Sequence, residues 1–189
     1  FKEYGLTIDT IPMKKDGIDL EILEQKVRKY SNIQKNIFLY TIPTCHNPTG
    51  YTLSDLKRKQ LASIATVYNN FYIIADEVYH FLRWDEKERI LPMSDYHLNF
   101  ISLGSFSKLL APSLRVGWIY INSTHDNIND ETSVIDDLSN SAIFDSSGGI
   151  NVLGSMIVHR AIETGFLDKY INDTISILQK RCISIVNKL

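Results

Sequence analysis

Short continuous apolar runs alternate with longer segments of helical spacing along this chain, the pattern of strands and helices taking turns. Leu6 to Ile11 alternates and reads as a strand, ended by Pro12 and the polar turn Lys14-Lys15-Asp16-Gly17. Leu20, Leu23, Val27 and Tyr30 recur at helical spacing, so Asp19 to Tyr30 is predicted to be an amphipathic helix. The run Ile37 to Ile42 is short, β-branched and aromatic, and it stops at Pro43, as a buried strand running into a loop does. Ser54 can cap a helix whose inner face uses Leu56, Leu61, Ile64, Ala65 and Tyr68, closed by Asn69 and Asn70. Phe71 to Ala75 is another all-apolar strand, and it hands directly to Asp76 and Glu77.

Strand, helix, strand is the βαβ pattern of a parallel sheet covered on both faces. The carboxylates of Asp76 and Glu77 then stand at a carboxyl strand end, where open α/β sheets place their ligands. Arg83 to His97 is mixed and polar and reads as a surface excursion. Phe100 to Leu103 and Leu114 to Ile121 are further strands. Only about ten residues separate them, fewer than the dozen or so a parallel crossover needs, so this pair is predicted to be antiparallel or indirectly connected. The fold class is therefore α/β, a three-layer sandwich around a mainly parallel, mixed sheet. Thr124 to Leu138 reads as an irregular acidic helix. Ser147-Gly148-Gly149 precedes a helix carrying Ile150, Leu153, Ile157 and Ala161 on one side and stopping near Gly165. Ile171, Ile175, Leu178, Cys182, Ile185 and Leu189 then step by four and three along a long amphipathic helix, read as a bridge to a second domain.

Composition narrows the function classes. The 189 residues are 44% hydrophobic, 11% aromatic and 22% charged, near globular averages, with a formal net charge of -2. That charge provides no basic field, so nucleic-acid binding is not expected of this segment. Cys45 and Cys182 match neither a metal cluster nor a disulfide framework, which favours a reducing, cytoplasmic setting. No apolar run approaches the roughly 18 residues of a membrane span. The chain opens at Phe1 and its helical pattern runs to Leu189, so it is read as a fragment of a longer protein.

Candidate chemistry sits at the predicted strand ends. Lys108, in the small and hydroxyl setting Ser105-Phe106-Ser107-Lys108, carries the amine that can condense reversibly with an aldehyde. Asp76 follows an apolar strand and can hold a ring nitrogen protonated, and a helix cap explains its position equally well. Arg115 offers a fork of donors to a phosphate, joined by the hydroxyls of Ser105 and Ser107. Tyr79 and Asn47 can both donate to a phenolic oxygen. Taken singly each residue has an ordinary structural explanation; taken together they describe a grip on a phosphate-bearing aldehyde.

The succession HNPTG at His46 to Gly50, DEVY at Asp76 to Tyr79, SFSK at Ser105 to Lys108 and RVGW at Arg115 to Trp118 resembles the fold type I pyridoxal-phosphate enzymes of the class I/II aminotransferase superfamily. Pro43 to Gly50, in the form PxxxNPTG, is similar to the 2-aminoadipate aminotransferase and MocR-like branch. The resemblance implies pyridoxal 5'-phosphate as cofactor. Lys108 would hold it covalently, Asp76 pair with its pyridine nitrogen, and Asn47 with Tyr79 contact its phenolic oxygen. Ser105 and Arg115, with Ser107 as a weaker addition, would bind its phosphate. Gly117 is expected to be structural, and His46 to be a loop residue satisfied by its neighbours. Ser146 to Gly149 resembles a helix start near the dimer interface of such enzymes.

The same resemblance implies residues 1–167 as part of the large cofactor-binding domain and 168–189 as a helix leading to a missing small domain. The implied activity is transfer of an amino group between an amino acid and a 2-oxo acid in a homodimer. A carbon-sulfur or similar lyase, and the effector module of a MocR-like regulator, are the competing readings. Because the family's phosphate loop and substrate-carboxylate arginine fall outside this segment, the segment alone is expected to be inactive.

Overall fold

The computed structural model describes residues 3, 5–34, 36–84, 90–96, 100–122, 140–141 and 151–188. The acidic helix expected over 124–138 and the helix start expected over 146–149 lie outside them. A small antiparallel hairpin, β1 (Met13–Lys14) and β2 (Gly17–Ile18), leads into α1 (Leu20–Ser31). Then follow β3 (Ile37–Thr41), α2 (Asp55–Val67), β4 (Phe71–Asp76), β5 (Phe100–Ser105), α3 (Phe106–Leu109) and β6 (Gly117–Asn122). α4 (Val152–Glu163) and α5 (Phe166–Val186) complete the described elements.

The main sheet runs β3-β4-β5-β6, parallel across the first three strands and antiparallel at the last. The short connection before β6 leaves no room for a crossover, and the chain turns back as predicted. Alternation assigns the faces. Leu39, Thr41, Phe71, Ile73, Ala75, Phe100 and Ser102 share one side, where Leu23 and Val27 of α1 and Leu61, Ile64 and Ala65 of α2 close the core. Phe38, Tyr40 and Ile119 share the other side and are exposed. Both helices over the core begin at side-chain caps. Asp19 accepts from the amides of Glu21 and Ile22, and Ser54 accepts from that of Lys57.

Four expectations need correcting. No strand forms over 6–11: Leu6 and Ile8 are exposed and have no paired strand among the described residues, so alternation there lacks a partner to make a ladder. The turn that follows is instead the tip of the β1–β2 hairpin. The excursion over 83–97 is not wholly superficial, because Met93 is completely buried in a short 3-10 turn, Met93–Asp95. On α4, Leu153 and Ile157 face outward, while Gly154, Val158 and Ala161 are the buried positions. The helix is rotated because its close contact is made by Gly154, where an added Cβ would meet the Leu114 carbonyl and Val116.

The fourth correction concerns α2, where Leu56 is 64% exposed and Arg58 is fully buried instead. Arg58 Nε donates to the Leu53 carbonyl at 2.9 Å, Nη2 to the Pro43 carbonyl and Thr44 Oγ1 at 2.8 Å each, and Nη1 to the Leu91 carbonyl at 3.1 Å. Its charge is answered by Glu77 at 3.9 Å, whose carboxylate also accepts from the Met93 amide at 2.9 Å and the Ser102 hydroxyl at 2.6 Å. Burial pushes the guanidinium down to about 10 and the Glu77 carboxyl up, as desolvation of both partners demands. Such a network tolerates no half-removal. Arg58→Leu, made in the full-length protein, should cost about 3–5 kcal/mol of stability by leaving the Glu77 carboxylate without its counter-charge and the Leu53 and Leu91 carbonyls without this donor, read by denaturant unfolding.

His80 lies against this network, 3.4 Å from Thr44 Oγ1. Burial, then the nearby charges of Arg58 and Arg83, pushes its imidazole down to about 4. The folded chain therefore keeps it neutral where the unfolded chain, with a value near about 6.5, takes up a proton. Stability should fall as pH drops from about 6.5 towards 4, and His80→Gln should flatten that part of the unfolding profile.

Candidate functional site

Register places the predicted residues at one end of the sheet. Thr41 pairs with Ala75, and Asp76 with Leu103, so β3, β4 and β5 deliver their carboxyl ends side by side. The Pro43–Gly50 loop leaves the first, Asp76 and Tyr79 the second, and Ser105 to Lys108 the third. Because β6 is antiparallel, its beginning comes to the same end: Gly117 pairs with Ser105, and Arg115 lies two residues before it. Asn47, Asp76, Tyr79, Ser105, Ser107, Lys108 and Arg115 thus all hang from one rim.

The Pro43–Gly50 loop is closed on itself. The His46 amide donates to the Tyr51 carbonyl at 2.8 Å, the Gly50 amide to the His46 carbonyl at 2.6 Å, and the Leu53 amide to the Pro43 carbonyl at 2.8 Å. His46 Nδ1 meets Thr49 Oγ1 at 2.9 Å, the satisfied loop histidine expected. Asn47 stands exposed at the tip, joined to Pro48 by a cis peptide bond.

Lys108 lies in the one-turn helix α3 that follows β5. Ser105 makes that turn, since its Oγ accepts from the Ser107 amide at 3.1 Å, and the Phe106 amide donates to the Val116 carbonyl at 3.0 Å. Lys108 itself is exposed and forms no side-chain hydrogen bond among the described residues. Arg115 adopts a left-handed backbone conformation, φ 51, with one guanidinium nitrogen 3.3 Å from the Pro112 carbonyl. Its turn is held from below by Asn151, whose Nδ2 donates to the Leu114 carbonyl at 2.9 Å while its Oδ1 caps α4. Gly104 and Gly117 let β5 and β6 meet closely: a Cβ at Gly104 would overlap the Trp118 ring, and one at Gly117 would press on the Gly104 carbonyl.

One site residue escaped the sequence reading. Tyr40 Oη donates to Asp76 Oδ2 at 2.6 Å across the β3–β4 pair. Burial, reinforced by this bond, pushes the phenol up to about 12. The signal was available, because strand alternation puts Tyr40 opposite Ile74 and on the same face as Asp76. Asp76 Oδ1 meets the Val78 amide at 3.4 Å. A recess of about 200 Å³ bounded by Glu77, His80, Ser102, Trp118 and Tyr120 contains none of the seven predicted residues. No cluster of metal-ligating side chains occurs among the described residues.

The rim therefore combines an unengaged amine, a carboxylate held by a phenol, an exposed amide and a half-buried phenol as donors, and hydroxyls beside a guanidinium. That donor set fits a phosphorylated pyridine aldehyde: amine for aldehyde, carboxylate for ring nitrogen, and guanidinium with hydroxyls for phosphate.

Comparison with known proteins agrees with this architecture. The family model described as aminotransferase class I and II matches residues 1–189. The aromatic-amino-acid aminotransferase 1 of Thermococcus litoralis is 31% identical over 183 residues, 96% of this chain and 41% of that protein. An uncharacterized HTH-type transcriptional regulator of Bacillus subtilis, YisV, is 33% identical over 120 residues, 63% of this chain and 24% of that protein. Among solved structures, the kynurenine aminotransferase of Pyrococcus horikoshii superposes with a TM-score of 0.80 at 28% identity, covering 94% of this chain and 42% of that one. The chain thus spans about two fifths of the length of these two aminotransferases. With sheet order, rim chemistry and a family match along its whole length in agreement, the chain belongs to the class I and II aminotransferase family.

Proposed function

We propose that the full-length protein is a cytoplasmic, pyridoxal-phosphate-dependent aminotransferase and that this chain supplies the core of its cofactor grip. Residues 1–167 form part of the cofactor-binding domain in this reading, and 168–189 lead towards a second domain. The observation that carries it is the arrival of all seven candidate residues at one sheet end, from four separate strands.

Pyridoxal phosphate bound there supplies an aldehyde for the amino group and a ring that withdraws electrons from the substrate α carbon. The protein's own groups do the rest. The Lys108 amine would hold the aldehyde and, when free, would serve as general base and acid for the proton of the substrate α carbon. Asp76 would pair with the ring nitrogen and hold its proton in place as a fixed counter-charge. Asn47 and Tyr79 donate to the phenolic oxygen, while Ser105, Ser107 and Arg115 hold the phosphate. An amino acid and a 2-oxo acid are the substrates, exchanged in ping-pong order. A homodimer belongs to the reading, and the exposed Val152, Leu153, Met156 and Ile157 of α4 offer apolar surface for one.

The regulator relative favours one second reading, in which the same grip serves effector binding behind a DNA-binding region. Turnover separates the two. The full-length protein should consume an amino acid only when a 2-oxo acid acceptor is present; ammonia or thiol release without an acceptor would indicate a lyase, and binding without turnover a regulator. Because one relative is named for aromatic amino acids and another for kynurenine, the donor screen begins with aromatic amino acids.

Lys108→Ala in the full-length protein should abolish the visible absorbance of the covalently held cofactor while leaving the far-ultraviolet circular dichroism unchanged. Retention of that absorbance would sink the assignment of the amine.

A further inference from the structure

We propose that Tyr40 is a positioning residue for Asp76, fixing the carboxylate so that it can accept a hydrogen bond from a protonated ring nitrogen; this rests on the cofactor reading above. A carboxylate at a strand end has a broad, roughly two-fold terminal torsion and does not hold one plane unaided. Here the Tyr40 hydroxyl takes Oδ2 at 2.6 Å, a short bond of the charge-assisted kind. Oδ1 has the Val78 amide at 3.4 Å and keeps acceptor capacity for another donor.

Tyr40 is suited to this task in three respects. Its ring comes from the neighbouring strand, one residue beyond the position opposite Ile73, so sheet register sets its distance from Asp76. Its phenol, pushed up to about 12, remains a donor throughout the pH range in which such an enzyme works. It is neutral. None of the ion pairs among the described residues involves Asp76, so the carboxylate is oriented by a dipole and retains its negative charge for a cationic partner. A lysine or arginine in the same place would orient it and cancel that charge.

The test uses the full-length protein loaded with pyridoxal 5'-phosphate bearing an NMR-active nitrogen label in the ring. Tyr40→Phe removes one oxygen from a side chain that is 56% exposed, so packing survives, which circular dichroism and melting temperature verify. The label's resonance should move towards that of a neutral pyridine, and kcat should fall about tenfold with little change in KM, the scale of losing a hydrogen bond to a charged group. In an Asp76→Asn background the same Tyr40→Phe change should add no further loss. An unaltered resonance and kcat in the cofactor-loaded Tyr40→Phe protein overturns the inference and leaves the cofactor reading standing. A further loss in the Asp76→Asn background overturns it as well, by showing that Tyr40 acts elsewhere. Failure of the unsubstituted protein to take up the cofactor overturns both.

Discussion

A single buried guanidinium joins the parts of this chain that must stay in register. Arg58 leaves the interior of α2 and donates to the carbonyls of Pro43, Leu53 and Leu91 and to Thr44. Those acceptors lie at the start of the Pro43–Gly50 loop, between that loop and α2, and in the segment before β5. The planar fork of arginine can reach several carbonyls at fixed angles, which lysine cannot do. Glu77 completes the arrangement from the end of β4, tied to Met93 and to Ser102 on β5. Desolvating this pair is costly, and a hydrophobic pair of equal volume could match its stability. What the ions add is geometry, because each bond joins a different strand end or loop.

Above that buried layer the rim inherits its precision from the sheet. Adjacent parallel strands end together, so residues remote in sequence are brought within a few strand spacings. The antiparallel β6 returns Arg115 to the same place. Its left-handed backbone costs on the order of 1–2 kcal/mol for a residue other than glycine. Asn151, bonded to the Leu114 carbonyl, and the close β5–β6 approach at Gly104 and Trp118 hold the turn against that cost. Strain of this sort at a polar residue on a rim is consistent with a binding role.

The βαβ succession and the antiparallel last strand were legible because they follow from short-range rules: apolar runs, connection length and the punctuation of proline and glycine; Arg115, read inside the last strand, instead precedes it in a left-handed turn. Leu6 to Ile11 misled because alternation specifies a face without supplying a neighbouring strand. Leu56 and Arg58 misled in opposite senses, since an arginine two residues along a helix reads as solvated until the carbonyls that receive it are known. Tyr40 sat in a strand read correctly, on the face that alternation assigns. Its bond to Asp76 depends on β3 and β4 being neighbours, which is a property of topology rather than of either segment. The rotation of α4 was hidden for a related reason: Gly154 carries no hydrophobic signal, and its use as a contact point appears only against Leu114 and Val116.

The rim residues divide into held and unheld groups, and the division matches the work proposed for them. Asp76 and Ser105 are engaged within the protein, by Tyr40 and by the Ser107 amide. A counter-charge for a ring nitrogen is effective when it needs no reorganisation, so locking it in advance is favourable. Lys108 is exposed on a single turn of helix. An amine that must first hold a cofactor and then carry a proton at the substrate needs two positions, and a side chain locked by neighbours would serve only one. The four-carbon stem supplies that reach and the short helix sets its origin. In the proposed reading, groups that must not move are set on a sheet rim, where the backbone of several strands fixes them at once.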